Sequence, residues 1–169
     1  MKALLSVYDK TSIIGLASKL CEAEFELIST GGTYQAIRTA GYPVKQVSEV
    51  TGSPEILDGR VKTLHPVIHG GILAKRDKLE HIEELKFHNI DSIDIVVVNL
   101  YPFMETISNP GVAMDDALEN IDIGGPTMIR AAAKNFPSVI VIVDPSDYDW
   151  VSAKILSDTI SLHDRRYLA

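Results

Sequence analysis

Short apolar runs alternate with amphipathic segments along the whole chain. Five runs are typical of buried strands, namely Ala3–Val7, Phe25–Ser29, Val44–Val47, Ile93–Leu100 and Val139–Val143. Between and after them, the spacing of apolar positions predicts helices over Thr11–Glu22, Thr33–Ala40, Lys78–Asn89, Ala113–Asn120, Pro126–Asn135 and Ser146–Ile160. Near-continuous apolar strands that alternate with helices indicate a mostly parallel sheet covered on both faces. We therefore expect an α/β fold.

Composition narrows the class of protein. The 169 residues are enough for one ordinary domain, and no apolar run approaches the roughly 20 residues that span a bilayer. The net charge of −7 argues against nonspecific binding to nucleic acid or to an anionic membrane. Cys21 is the only cysteine, which excludes an intramolecular disulfide, and it falls on an apolar helical stripe that predicts a packing role. The start lacks the features of a signal peptide, so we expect a cytoplasmic protein.

The most informative stretch of the chain runs from Gly59 to Pro66. Both end residues disfavour a long regular helix through the segment, which predicts a constrained loop. The loop carries Arg60 and Lys62, whose guanidinium and ammonium groups suit a phosphate or another anion. Because the protein as a whole is acidic, this concentration of cations indicates an anionic ligand.

Polar segments follow the first two predicted strands, and ligands of open α/β sheets bind at the carboxyl ends of strands. Ser29–Thr33 opens a helix with two glycines, and the free amides of a helix start favour a phosphate. An ordinary glycine-rich turn with a threonine cap is the alternative. Ser6–Lys10 would lie beside this turn if the two strands are neighbours, although a capping segment with Asp9 as the cap explains it equally well.

Three further positions are candidates for chemistry. Asn99 and Tyr101 end the long apolar strand, where an amide and a phenol can face a ligand, although a hydrogen-bonded core tyrosine is the alternative. Asp122 precedes a Gly-Gly-Pro helix start and is either a ligand-facing carboxylate or an ordinary cap. Arg130 and Lys134 share one helix face, which is also typical of a solvated surface.

Metal and single-stranded nucleic acid are not expected as ligands. His65 and His69 are four residues apart, but Pro66 intervenes and no cysteine or acidic group completes a ligand set. Trp150 and the tyrosines form no stacking platform with interleaved basic residues.

Six of these segments, in this order and at this spacing, resemble the IMP cyclohydrolases, which usually form the N-terminal domain of a bifunctional purine biosynthesis protein. The segments are Ser6–Lys10, Ser29–Thr33, Gly59–Pro66, Asn99–Phe103, Asn120–Pro126 and Arg130–Asn135. The resemblance covers essentially the whole chain and implies a methylglyoxal-synthase-like three-layer fold with a mostly parallel central sheet. It implies the last step of de novo purine synthesis, in which 5-formamidoimidazole-4-carboxamide ribotide closes its pyrimidine ring to give IMP and water. Such a reaction involves no redox or carbon transfer, so no cofactor and no metal is implied.

The resemblance also implies roles for individual residues. The implied catalytic residues are Lys62, Tyr101, Asp122 and Lys134, with Lys134 as the candidate proton donor or acceptor beside Tyr101 and Lys62. The implied phosphate site consists of Ser6, Lys10, Ser29, Thr30, Gly31, Gly32 and Thr33. The rest of the nucleotide is expected to meet Arg60, Thr63, Asn99, Ile123 and Gly124.

Two positions depart from the family pattern. Tyr8 stands where the family more often has a serine, so the contact of a serine hydroxyl with the ligand is not expected there. Phe136 stands where many relatives have histidine or tyrosine, which removes a polar group near Lys134.

The last residues, 161–169, start like a helix and stop without a cap. In the family this helix continues and a formyltransferase domain follows. We therefore expect residues 1–169 to be a cyclohydrolase domain truncated in its C-terminal helix, without folate-dependent formyl transfer. The resemblance allows a homodimer, which the family forms mainly through the following domain. Two rival hypotheses are a methylglyoxal synthase and a nucleotide-binding regulatory module like the related domain of carbamoyl phosphate synthetase.

Overall fold

A sheet of five parallel strands forms the centre of the protein, as seen in a computed structural model that describes residues 1–108 and 111–169. In chain order the strands are β1 Lys2–Val7, β2 Glu26–Ser29, β3 Lys45–Gln46, β4 Ile95–Asn99 and β5 Ile140–Ile142. They lie in the order β3-β2-β1-β4-β5, and each neighbouring pair is parallel. The carboxyl ends of the strands therefore meet along one edge of the sheet.

Helices cover both faces of this sheet. In chain order the helices of the described residues are α1 Ile13–Glu22, α2 Gly31–Thr39, α3 Val47–Thr51, α4 Pro66–Leu73, α5 Leu79–Phe87, α6 Phe103–Ile107, α7 Met114–Glu119, α8 Gly124–Lys134, α9 Tyr148–Leu156 and α10 Leu162–Leu168, of which α6 and α7 contribute no residue to the core. Successive strand residues point to opposite faces, so Leu5 packs with α1 and α9 whereas Leu4 packs with α4 and α8. The predicted three-layer α/β architecture is confirmed.

The alternation read from the sequence agrees with most of these elements, but α3, α4 and α6 were not predicted and one predicted strand is shorter than expected. The predicted strand Val44–Val47 is reduced to two residues, because Val47 turns inward to begin α3. The segment from Gly59 to Pro66 contains no long helix, as expected, and Pro66 itself begins α4. A proline there leaves no amide unpaired, and the Nδ1 atom of His65 caps the helix by accepting a hydrogen bond from the backbone N–H of Val67 at 3.2 Å.

Two smaller observations bear on the sequence-based expectations. Cys21 packs against the apolar cluster on the α1 side, and burial raises the pKa of its thiol, in agreement with a packing role. Within residues 1–108 and 111–169, no helix has both the length and the apolar character that a membrane span requires.

Candidate active site

A cavity of about 390 Å³ opens at the carboxyl ends of β1, β2 and β4. Most of the predicted site residues line it, namely Ser6, Thr30, Gly31, Gly32, Thr33, Arg60, Lys62, Thr63, Asn99, Tyr101, Asp122, Ile123 and Gly124. Lys10, Ser29 and Lys134 lie outside this lining. Segments far apart in the sequence thus converge on one space.

The first turn of α2 forms one wall of the cavity. Gly31 has a φ of 54°, a conformation that glycine adopts at little cost. The first amides of a helix have no partner within the helix and carry the positive end of its dipole. This turn therefore presents backbone donors to an anion in the cavity.

Two ammonium groups stand beside this turn. A β-carbon at Gly31 would lie 3.8 Å from the Nζ atom of Lys62, and one at Gly32 would lie 3.5 Å from the Nζ atom of Lys10. Lys10 also donates to the backbone carbonyl of Tyr8 at 3.1 Å, which keeps it at the rim rather than in the lining. The two cations and the helix start bring positive charge to this wall, which the carboxylate of Glu55 beside Thr30 partly offsets.

The hydroxyl groups of the same turn have partners within the protein. Ser29 is fully buried and donates to the carbonyl of Leu5 at 2.7 Å, so its expected position at the ligand is corrected to one below the cavity. Thr33 accepts from the N–H of Val7 and donates to the carbonyl of Val7, each at 3.0 Å. These hydroxyls hold the turn against β1. The backbone amides of the turn are therefore the groups available to a ligand.

Thr30 lines the cavity while its hydroxyl donates to Oε1 of Glu55 at 3.0 Å. Glu55 lies just before the loop that carries Arg60 and Lys62. The contact therefore ties this loop to the start of α2.

Asn99 holds the loop after β1 in place. Its Oδ1 atom accepts from the N–H of Asp9 at 2.8 Å, and its Nδ2 atom donates to the carbonyl of Asp9 at 3.0 Å. Both halves of the amide are thus bonded to backbone, although the side chain borders the cavity. Asp9 in turn accepts from the N–H of Thr11 at 2.9 Å, but Thr11 precedes α1, whose N-cap residue is Ser12, so Asp9 closes a turn and does not cap the helix as the alternative had it.

The loop predicted between Gly59 and Pro66 begins inside a tight hairpin. Ile56 and Val61 form an antiparallel bridge, and Gly59 between them has a φ of 84°. Arg60 leaves this hairpin and forms a bidentate ion pair with Glu119 at the end of α7. This pair raises the pKa of the Arg60 guanidinium above its ordinary value. The hairpin and α7 thereby form the wall opposite the first turn of α2.

Asp122 and the glycines after it complete the lining. The Oδ1 atom of Asp122 accepts from the N–H of Gly125 at 2.8 Å, at the start of α8. Thr63 is buried, and its Oγ1 atom lies only 2.5 Å from the point where a β-carbon of Gly124 would be. Only glycine at position 124 lets the chain pass this close to Thr63. Because it accepts from the N–H of Gly125 and also borders the cavity, the carboxylate of Asp122 both caps the start of α8 and lines the cavity.

Lys134 lies at the other end of α8. Ten residues separate it from Gly124, which at 1.5 Å per residue places it about 15 Å along the helix axis. It is exposed and borders a different cavity with Leu64, His69 and Arg130. The structure therefore brings Lys62, Tyr101 and Asp122 together but leaves Lys134 apart from them within this chain.

Sequence reasoning missed Glu55 and Glu119. Neither stands in a motif, and each acts through a residue distant in sequence, so no local signal could have found them. In the parts of the chain from 1 to 108 and from 111 to 169, no cluster of three or more His, Cys, Asp or Glu side chains could hold a metal ion.

Comparison with known proteins gives consistent results. The model of the MGS-like domain family matches residues 12–127. The chain is 62% identical to the bifunctional purine biosynthesis protein PurH of Staphylococcus carnosus (strain TM300) over 159 residues, covering 94% of this chain and 32% of that protein. It is 59% identical to PurH of Macrococcus caseolyticus (strain JCSC5402) over 167 residues, covering 99% of this chain and 34% of that one.

A solved structure agrees with these relatives. The crystal structure of ForH superposes with a TM-score of 0.90 at 38% identity, covering 99% of this chain and 87% of that chain. The chain spans about a third of the length of the PurH relatives and matches their N-terminal region. The fold, the family model and these identities agree, and the chain belongs to the MGS-like domain family.

Proposed function

We propose that this domain closes the pyrimidine ring of 5-formamidoimidazole-4-carboxamide ribotide to give IMP and water. The observation that carries the proposal is the convergence of an anion-binding helix start, Lys62, Tyr101 and Asp122 on one cavity. The similarity to PurH proteins, whose name specifies purine biosynthesis, supports the same substrate class.

We assign the phosphate of the ribotide to the first turn of α2. The amides of Gly31 and Gly32 donate to the phosphate oxygens, and Lys10 supplies charge from the rim. Ser6 borders the same space. The base then extends toward the wall formed by Arg60 and residues 122–124, where Thr63, Ile123 and Gly124 contact it.

The proposed reaction forms a bond between the carboxamide nitrogen and the formyl carbon of one molecule. The carboxamide nitrogen loses one proton as it attacks. The formamide nitrogen loses a second proton as its double bond to the same carbon forms and the C–O bond breaks, and the formyl oxygen takes up two protons and leaves as water. Holding both groups in attack geometry supplies much of the rate. We assign the proton from the carboxamide nitrogen to Asp122, and the stabilisation of the oxygen to Tyr101 and Lys62. None of these steps needs a cofactor.

The catalytic role of Lys134 stays a prediction of the family resemblance. The resemblance predicts that Lys134→Ala strongly lowers turnover, while IMP affinity stays within about tenfold, or roughly 1.4 kcal/mol. Its distance from the cavity within this chain predicts turnover close to that of the unchanged protein. Single-turnover rates and IMP titration of this variant decide between the two. Unchanged turnover would remove Lys134 from the mechanism.

We further propose that the longer protein carries a formyltransferase domain after this one, that it forms homodimers, and that it is cytoplasmic. The length of the PurH relatives supports the additional domain.

The exposed apolar side chains of Leu64 and Leu73 support an interface between two copies of the protein. The proposed role in purine synthesis and the single cysteine fit the cytoplasm. Sedimentation velocity of the chain and of the longer protein measures the oligomeric state of each.

A direct assay tests the ring closure. The formamido ribotide is supplied to the protein, and IMP formation is followed by absorbance, with the dephosphorylated riboside as the matched control. We expect saturable turnover of the ribotide and a much lower kcat/KM for the riboside. Saturable binding of the ribotide without turnover would favour a regulatory module. Methylglyoxal formation from dihydroxyacetone phosphate would favour the other rival.

A further inference from the structure

Tyr8 has a fixed backbone and an aromatic ring at the edge of the cavity. Its N–H donates to the carbonyl of Asn99 at 3.4 Å, and its carbonyl accepts from Lys10 at 3.1 Å. The next residue, Asp9, is held on both sides by the amide of Asn99. Although Tyr8 is 50% exposed, the loop that carries it is thus tied to β4 at several points.

The ring of Tyr8 packs against that of Tyr101. The ring centroids are 4.6 Å apart and the planes cross at 78°, an edge-to-face contact of the kind that aromatic pairs prefer. Both residues line the cavity. The two rings come from the ends of the neighbouring strands β1 and β4, so this contact joins the two sides of the cavity floor.

Tyr101 lies outside the hydrogen-bonded part of β4. It follows the end of β4 and precedes Pro102, which has no amide to donate to a neighbouring strand. A phenol has two rotatable side-chain bonds, and a neighbouring ring restricts both. A reacting hydroxyl must be held in place for its chemistry to be fast.

We propose that Tyr8 is a positioning residue for Tyr101, and that its ring rather than its hydroxyl fixes the phenol of Tyr101 toward the reacting edge of the nucleotide. This inference rests on the proposed ring closure. It assigns Tyr8 no direct contact with the reacting atoms. The contribution of Tyr8 therefore requires Tyr101 to be present, and it affects kcat more than the binding of the nucleotide.

A double-mutant cycle tests the inference. The variants are Tyr8→Phe, Tyr8→Ser, Tyr101→Phe and the double variant Tyr8→Ser/Tyr101→Phe, each assayed for kcat and KM with the ribotide. Tyr8→Phe should stay within twofold of the unchanged protein in kcat. Tyr8→Ser should lower kcat about tenfold, with KM within threefold. In the Tyr101→Phe background, Tyr8→Ser should change kcat by less than twofold.

Tyr167→Ser is the matched control for loss of an aromatic ring. Tyr167 lies on α10 and makes an edge-to-face contact with Trp150 at 6.3 Å, outside the cavity. It should leave kcat and KM unchanged. Circular dichroism of each variant verifies folding, and Tyr8→Leu replaces Tyr8→Ser if the latter does not fold.

The possible results separate the inference from the proposed function. An inactive unchanged protein overturns the ring closure and this inference with it. With an active protein, a Tyr8→Ser kcat within twofold of the unchanged value overturns the inference alone. So does a Tyr8→Phe kcat as low as that of Tyr8→Ser, because the hydroxyl would then be the active group. Equal losses from Tyr8→Ser in both backgrounds likewise contradict positioning through Tyr101.

Discussion

The two walls of the cavity are built from different interactions. On the α2 side, Ser29 and Thr33 are 0% and 2% exposed, and their hydroxyls bond to the backbone of β1. On the opposite side, the hairpin is joined to α7 by the ion pair of Arg60 and Glu119, whose side chains are 63% and 60% exposed. Ile123 on that side is also half exposed.

The two walls therefore differ in how rigidly they are held before a ligand binds. The α2 wall is fixed by short buried hydrogen bonds, so the backbone amides of its first turn are in place before a ligand arrives. The opposite wall is held by long side chains in water, where an ion pair contributes little to stability. We therefore expect substitutions on the α2 side to affect folding as well as binding. Substitutions of the exposed side chains on the opposite side should affect mainly the chemistry.

Asp122→Asn should have the largest effect and should act on activity alone. The asparagine oxygen can still accept the N–H of Gly125, so the start of α8 is preserved, but the base is lost. We expect kcat to fall about 100-fold or more, the usual size of an acid–base contribution. Steady-state kinetics measure it, and Asp115→Asn on exposed α7 is the control. A kcat within threefold of the unchanged value would exclude Asp122 as the base.

Gly31→Ala should have the next largest effect, on the α2 wall. At a φ of 54° an alanine is strained by about 1–2 kcal/mol, and relief of this strain turns the amides away from the anion. We expect the Kd for IMP, measured by calorimetry, to rise about tenfold. Gly15→Ala is the control, since it lies within α1 with no atom near its β-carbon position. An unchanged Kd would show that the phosphate does not bind at the first turn of α2.

Thr33→Val should lower stability by about 1–3 kcal/mol, because the buried N–H of Val7 loses its acceptor. The free energy of unfolding in urea is the measurement. Thr39→Val, at the exposed end of the same helix, is the control. IMP affinity should also fall, as the first turn of α2 is no longer fastened to β1. A stability equal to that of the control would show that the α2 wall is not preorganised in this way.

Glu119→Gln should give the smallest change in stability. The urea midpoint should stay close to that of the unchanged protein, since the ion pair with Arg60 is exposed. The same urea titration as for Thr33→Val measures it. A loss as large as that from Thr33→Val would erase the contrast between the two walls.

The sequence predicted the fold and the α2 wall well because both depend on local patterns. Apolar runs mark β1, β2 and β4, and the two glycines at 31 and 32 mark the start of α2, for which anion binding stays a prediction. The short β3 was harder to predict. Val47 is buried at the start of α3, and a buried valine is equally expected at the end of a strand. Propensity cannot distinguish these cases when tertiary packing decides.

The opposite wall was only partly predictable. The cations of the hairpin and the carboxylate of Asp122 stand in recognisable motifs, but their partners do not. Glu119 reaches Arg60 across 59 positions of sequence, and such a pairing leaves no periodic signal. Lys134 stands in a recognisable motif but lies far from the site, because α8 begins at the cavity and Lys134 ends it about 15 Å along the helix axis.

The central position of β1 has a consequence for synthesis. This strand is made before β4, yet Ala3 pairs with Ile95 on one side and with Leu27 on the other. A growing chain on the ribosome can therefore join β1 to β2 well before β4 exists, which leaves one edge of an apolar strand unpaired. Such an edge is a template for aggregation. Nascent chains stalled before residue 95 should thus be the species that chaperones hold.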